Sequence, residues 1–260
     1  MKKIFQYTLY DLIRSRWTLF YLGFFLLLTT VLLAFSGDIS KVVISLMNVV
    51  LILCPLIATM FGVMYAYNSR EFTELLLAQP IKRTSIFWGQ YFGLGVSLSL
   101  SLAIGIGGPF LFYGLFATGE IWNFFILIAN GVMLSLIFSG LAFLIALRNE
   151  NRIKGFGLAI LTWLFFAVIY DGIMLLLLVF FREYPLEPLA LSLSLFNPID
   201  LSRILILLKL DISALMGYTG AVFEKFLGTG LGITIAFFVL LFWVGLPALA
   251  IRRVAGRKDF

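Results

Sequence analysis

Six apolar runs, at 17–35, 42–67, 86–117, 122–147, 156–181 and 226–251, dominate this sequence. A helix needs about 20 predominantly apolar residues to cross the hydrocarbon core of a bilayer, and each run meets that length. Backbone N–H and C=O groups find no water at that depth, so each run satisfies its own hydrogen bonds as a helix. The expected fold is an all-α polytopic membrane protein of six spans, one transmembrane domain over residues 1–260. Composition agrees: 62% of residues are apolar and 12% charged, whereas soluble domains carry about 45–50% and about 25%. That leaves no room for a large soluble domain.

Three further segments are more than turns. Residues 1–16 carry Lys2, Lys3, Arg14 and Arg16, with Ile4, Phe5, Leu9, Leu12 and Ile13 at helical spacing, which predicts an amphipathic helix lying on the membrane surface. A signal peptide is the competing reading, because Ala34-Phe35-Ser36 is cleavage-like. The apolar stretch is long for a signal peptide, and five more runs follow. Residues 68–85 open with Asn68 and Glu71 in capping-box spacing and reach Pro80, predicting a short helix over 69–79. On it Phe72, Leu75, Leu76 and Gln79 share one face, and Glu71, Glu74 and Ala78 another. Residues 182–225 are too apolar for a solvated loop but are interrupted by Asn197, Asp200 and Arg203, which predicts interfacial or re-entrant helices before the last span. Gly107-Gly108-Pro109 suggests a non-spanning turn ending the third run.

The net charge of +6 is a topology signal. Fourteen of the 19 Lys and Arg fall on one side of the alternating connections (1–16, 68–90, 148–155 and the C-terminus) and five on the other, which predicts cytoplasmic termini. The partner of this charge is the lipid bilayer, and no nucleic acid is implied. Trp17, Trp88 and Trp122 lie at run boundaries, as an interfacial aromatic belt requires.

There is no histidine, and Cys54 is the single cysteine. Ser-His-Asp and Cys-His devices and Cys/His zinc sites are therefore excluded, and the chain carries no expected catalytic, cofactor-binding or metal site of its own. Asp171, following Tyr170, is the only charge inside a run, about 15 Å from the outer boundary at 1.5 Å per residue. A carboxylate there needs a partner. Either it lines a path or subunit interface, or it is bonded to a neighbouring helix through Asn130 or Asn48. Cys54 with Met47, Met60 and Met64 offers soft sulfur for copper(I), against the plainer reading of packed or lipid-facing sulfur. Gly89 with Gly93, and Gly228 with Gly232, suit close helix packing, and Pro55 a kink.

The order of these elements resembles the permease subunits of ABC transporters of the ABC-2 (type V exporter) class. More narrowly, SREFTELLLAQPIKRTSIFWGQYFGLG (69–95), WLFFAVIYDGIMLLLLV (163–179) and LFNPIDLSRILILL (195–208) resemble the NosY permeases of the NosDFY transporter, needed for maturation of nitrous oxide reductase. One departure is Phe72-Thr73, where the wider class often carries a basic residue and a glycine. The resemblance implies a bacterial inner-membrane homodimer over a cytoplasmic NosF-like ATPase dimer that binds ATP and Mg. It further implies a periplasmic NosD-like β-helical protein, a copper chaperone lipoprotein, and a role in assembling the copper centres of a periplasmic reductase. ATP is expected on the partner because the chain has no GxxxxGK[ST] stretch. The residues expected to couple to the ATPase are Arg70, Glu71, Phe72, Glu74, Leu75, Gln79 and Pro80. Tyr170 and Asp171 are the intramembrane polar pair, and Asn197, Asp200 and Arg203 the expected external contact. A generic ABC-2 exporter of lipid or drug shares all but the two narrower segments. An ion-coupled secondary transporter would need several intramembrane ionisable residues, where this chain has one.

Overall fold

The computed structural model describes residues 1–36, 39–113, 121–181, 186–209 and 230–256. Every element among them is helical: α1 Lys2–Ile13, α2 Arg16–Ser36, α3 Ile39–Asn68, α4 Arg70–Leu77, α5 Arg83–Phe112 and α6 Ile121–Arg148. These are followed by α7 Arg152–Leu164, a π-helical segment Phe165–Ile169, α8 Tyr170–Phe180, α9 Leu186–Leu195, α10 Pro198–Lys209 and α11 Gly230–Ala255. Among the described residues six helices are long and apolar enough to cross a membrane: α2, α3, α5, α6, the α7–α8 unit and α11. The chain is an all-α polytopic membrane protein.

The centre of the bundle is α3, α5 and α6, whose facing Val43, Leu46, Val50, Leu98, Leu102, Leu134 and Phe138 are fully buried. Around it stand α2 against α5, α11 against α5 and α6, and α7 against α3. The α7–α8 unit differs from the rest, because no residue from Ile160 to Phe180 is buried within the chain. Val168, Leu175, Leu176 and Val179 point outward. A helix that is apolar on its outer side belongs in lipid or against another membrane surface.

Proline positions behave in two ways. Pro55 stays inside α3, where Thr59 donates its hydroxyl to the Pro55 carbonyl at 2.6 Å. The turn expected at Gly107-Gly108-Pro109 is absent: α5 runs through it to Phe112, and Tyr113 N–H donates to the Pro109 carbonyl. Pro109 lies in the final turn, so its missing N–H removes a single ladder bond just before the helix stops.

The N-terminal helix is docked as well as amphipathic. It buries Ile4, Thr8 and Leu12, one residue per turn, against α5. Gly89 and Gly93 make this approach possible: a Cβ on Gly89 would fall 2.9 Å from Ile4 Cγ2, and one on Gly93 2.6 Å from Thr8 Cγ2. Thr8 Oγ1 lies 3.1 Å from Tyr65 Oη, which ties α1 to α3 as well. The Gly89/Gly93 spacing is thus a packing seam, while Gly228 lies outside the described residues.

Level with the middle of the fifth and sixth spans, α9 and α10 form a pair bent by 113°. Asn197 makes the bend. Its Oδ1 accepts from Ile199 N–H, capping α10, and Pro198 takes the first helical position, where no N–H is needed. Leu201, Ile204, Leu205 and Leu208 face the bundle and are buried.

Candidate functional site

Two polar constructions stand apart in the bundle, one beyond the ends of α3 and α5 and one level with the middle of the fifth and sixth spans. The first is α4, eight residues between the two 30-residue helices α3 and α5. The expected Asn68/Glu71 capping box does not form: the residue before α4 is Ser69, and no side chain caps the helix. The reason is that helical bonding hardly pauses at the corner. Ser69 N–H donates to the Tyr65 carbonyl, and Thr73 N–H to that of Ser69.

The face shared by Phe72, Leu75, Leu76 and Gln79 is only partly covered, with Phe72 and Leu76 half-buried. Leu75 is 68% exposed, and Gln79 and Pro80 are exposed beyond the helix. Anchorage comes from Thr73, which is buried and whose Oγ1 accepts from Gln90 Nε2 of α5 at 2.8 Å. Phe72 stacks on Tyr7 of α1, ring centroids 4.8 Å apart. Arg70 Nε donates to Glu74 Oε1 at 3.1 Å along the exposed side, with Glu71 exposed beside them. The result is a short charged surface rigidly fixed to α1 and α5.

Beside it, Tyr67 carries bonds that sequence reasoning missed. Its hydroxyl donates to the Asn149 carbonyl at 2.8 Å and lies 3.2 Å from that of Asn151, and Arg152 Nη2 donates to the Tyr67 carbonyl. The α6–α7 connection is therefore tied to the α3–α4 corner. Asn151 caps α7 by accepting from Ile153 and Lys154 N–H groups. A polar pair flanking a charged loop is the one signal that could have flagged it.

The second construction is the bend between α9 and α10, set against the π-helical segment. Arg203 Nη1 lies 3.1 Å from both Asp171 Oδ2 and Asp200 Oδ1. Asn197 Nδ2 donates to Asp200 Oδ2 at 2.8 Å and to the Phe166 carbonyl at 2.9 Å, inside the π segment. Tyr170 Oη donates to the Leu193 carbonyl at 2.6 Å, and Trp243 Nε1 to that of Leu195. Both accept at the C-terminal end of α9, where a helix has carbonyls to spare.

Five of the residues singled out in the sequence, Tyr170, Asp171, Asn197, Asp200 and Arg203, thus meet in one place. The partner of Asp171 is Arg203, in place of Asn130 or Asn48. Asn130 instead donates to the Ile126 carbonyl of its own helix, and Asn48 to that of Ile44. Asn197 and Asp200 are buried in the chain, and Arg203 is about one-third exposed. The side chain of Lys209 lies outside the described residues. One guanidinium serves two carboxylates, leaving the ionised trio one negative charge in excess, on a site buried at Asp200 and about one-third exposed at Asp171 and Arg203.

Cys54 sits in the core, its Sγ 3.0 Å from Ser135 Oγ and 3.5 Å from Tyr21 Oη. Among the described residues no group of three His, Cys, Asp or Glu side chains is placed to hold a metal ion.

No protein-family profile matches the chain. Two curated proteins do resemble it, both described as a probable ABC transporter permease protein NosY. The one from Stutzerimonas stutzeri is 27% identical over 231 residues, covering 85% of this chain and 82% of its own length. That from Pseudomonas aeruginosa is 27% identical over 224 residues, covering 80% and 81%. The chain is therefore a polytopic membrane protein that resembles the NosY permeases of ABC transporters.

Proposed function

We propose that this chain is the permease subunit of an ATP-driven transporter that supports copper-centre assembly in a periplasmic nitrous oxide reductase. It sits in the bacterial inner membrane with both termini cytoplasmic and works as a homodimer. A cytoplasmic NosF-like ATPase dimer binds the ATP and Mg, while a NosD-like β-helical protein and a copper chaperone lipoprotein act outside. The observation that carries the ATPase contact is the construction of α4. A motor moves its permease through rigid contact, and α4 offers an exposed Arg70-Glu71-Glu74 surface held by Gln90 and Tyr7. Charge of this kind sets the register of a docked partner more than it adds affinity.

Co-purification in mild detergent tests the reading. A dimeric ATPase should be retained by the wild-type chain and lost from the Glu71→Lys/Glu74→Lys variant, with insertion unchanged. Retention by both would remove α4 as the contact. A generic ABC-2 exporter is the second reading. It is favoured by the burial of Asn197 and Asp200 and by the ion pair of Arg203 with Asp171 of the fifth span, which engage all three residues of the expected external trio inside the chain. An external protein that co-purifies with the wild-type chain, and is weakened by Asp200→Ala/Arg203→Ala while the ATPase stays, separates the two.

A further inference from the structure

We propose that the groove between α1, the 14–16 turn and the α4 end of α3 binds the headgroup of an anionic phospholipid. The groove has a volume of about 560 Å³. Its basic rim is Arg14 and Arg16, both exposed and neither in an ion pair with a described residue. Asp11 is the one carboxylate in the lining, so the rim keeps a net positive charge. Trp17 in the same wall meets Phe61 edge-on, ring centroids 6.4 Å apart, and is 58% exposed. A half-exposed tryptophan at the start of a span marks the level of the headgroups.

Depth, charge and shape therefore agree on one class of ligand. A phosphate at headgroup level would lie between two guanidinium groups, which suit phosphate oxygens better than ammonium groups do. The acyl chains would continue along Phe61 and Met64, on the apolar side of the groove. Ser69 and Asn68 line the wall near α4. Because Phe72 also lines the groove and stacks on Tyr7, a bound lipid would brace α1 against the first turn of α4. This inference does not depend on the identity of the motor or of any external partner.

The test is native mass spectrometry of the purified chain, and of any complex it carries, after exchange into phosphatidylglycerol or phosphatidylcholine. Phosphatidylglycerol should be retained in preference to phosphatidylcholine. Arg14→Ala/Arg16→Ala should weaken that retention on the order of tenfold, since each basic group near an anionic surface adds measurably to binding. Lys154→Ala should leave it unchanged, and Arg14→Lys/Arg16→Lys should keep most of it. Equal retention of the two lipids, or no loss in the alanine variant, overturns the proposal. Displacement of phosphatidylglycerol by millimolar inorganic phosphate overturns it too, because the groove would then be a phosphate site. If the alanine variant fails to insert, photo-crosslinking of a phosphatidylglycerol analogue to the wild-type chain decides: labelling must map to the groove, and labelling confined elsewhere refutes it.

Discussion

Arg203 holds two carboxylates that cannot both be left without it. Removing its guanidinium in Arg203→Ala strands Asp171 and Asp200, and the expected loss is about 1–3 kcal/mol, read as a lower thermal midpoint in detergent. Asp171→Asn should be far milder and can even stabilise, because the amide oxygen still accepts from Arg203 while the excess negative charge disappears. A loss for Asp171→Asn as large as that for Arg203→Ala would show that the trio depends on both charges. The sequence made Asp171 conspicuous by its isolation in an apolar run, yet it could not name the partner. Arg203 is 32 residues away, and which polar residues meet across a bend depends on how α10 lies on the bundle. Spacing rules reach only the next turn of the same helix.

At the scale of the helix, α1 and the π segment make the sharper forecasts. Gly93→Val puts a branched side chain where Thr8 already sits, so it should expel α1 from α5. Limited proteolysis or labelling of a cysteine at position 8 would record the expulsion, with the six spans intact. Asn197→Ala removes both the cap of α10 and the donor to the Phe166 carbonyl. A cap is worth about 1 kcal/mol and an orphaned buried carbonyl about 1–3 kcal/mol, so this variant should loosen α9 and α10, with faster amide hydrogen exchange there than in α6. The spans and the amphipathic α1 were legible because run length and helical spacing are direct consequences of burial. The π segment was not. It adds no residue type of its own, and a bilayer-wide apolar run reads alike with or without an extra residue in one turn. The corner at Ser69 misled for a similar reason: capping chemistry applies where backbone donors are left free, and here the preceding helix supplies the acceptors.

For the molecule as a whole, the 14-to-5 division of basic residues forecasts orientation. In a Cys54→Ser background, where the new hydroxyl can still meet Ser135, single cysteines at 83 and 152 should be labelled from the cytoplasmic side only. Labelling of either from outside would invert the topology. The outward apolar side of α7–α8 should shelter in lipid or against a second copy, so a charged residue at Leu176 should impair insertion or assembly, read as loss of detergent-extracted protein. The long helices are also unequal in continuity. Pro55 lies midway in α3, and a π segment interrupts the fifth span, whereas α5 runs without proline from Arg83 until Pro109 in its last turn. At 1.5 Å per residue α5 is a rod about 45 Å long, and Gln90 fastens it to α4 near one end. A rod of that length tilted by about 10° swings its far tip by about 8 Å. Because α5 is also packed against α1, α2, α3, α6 and α11, that swing would carry those helices with it, so that a push at α4 reaches the opposite side of the membrane as a movement of the bundle.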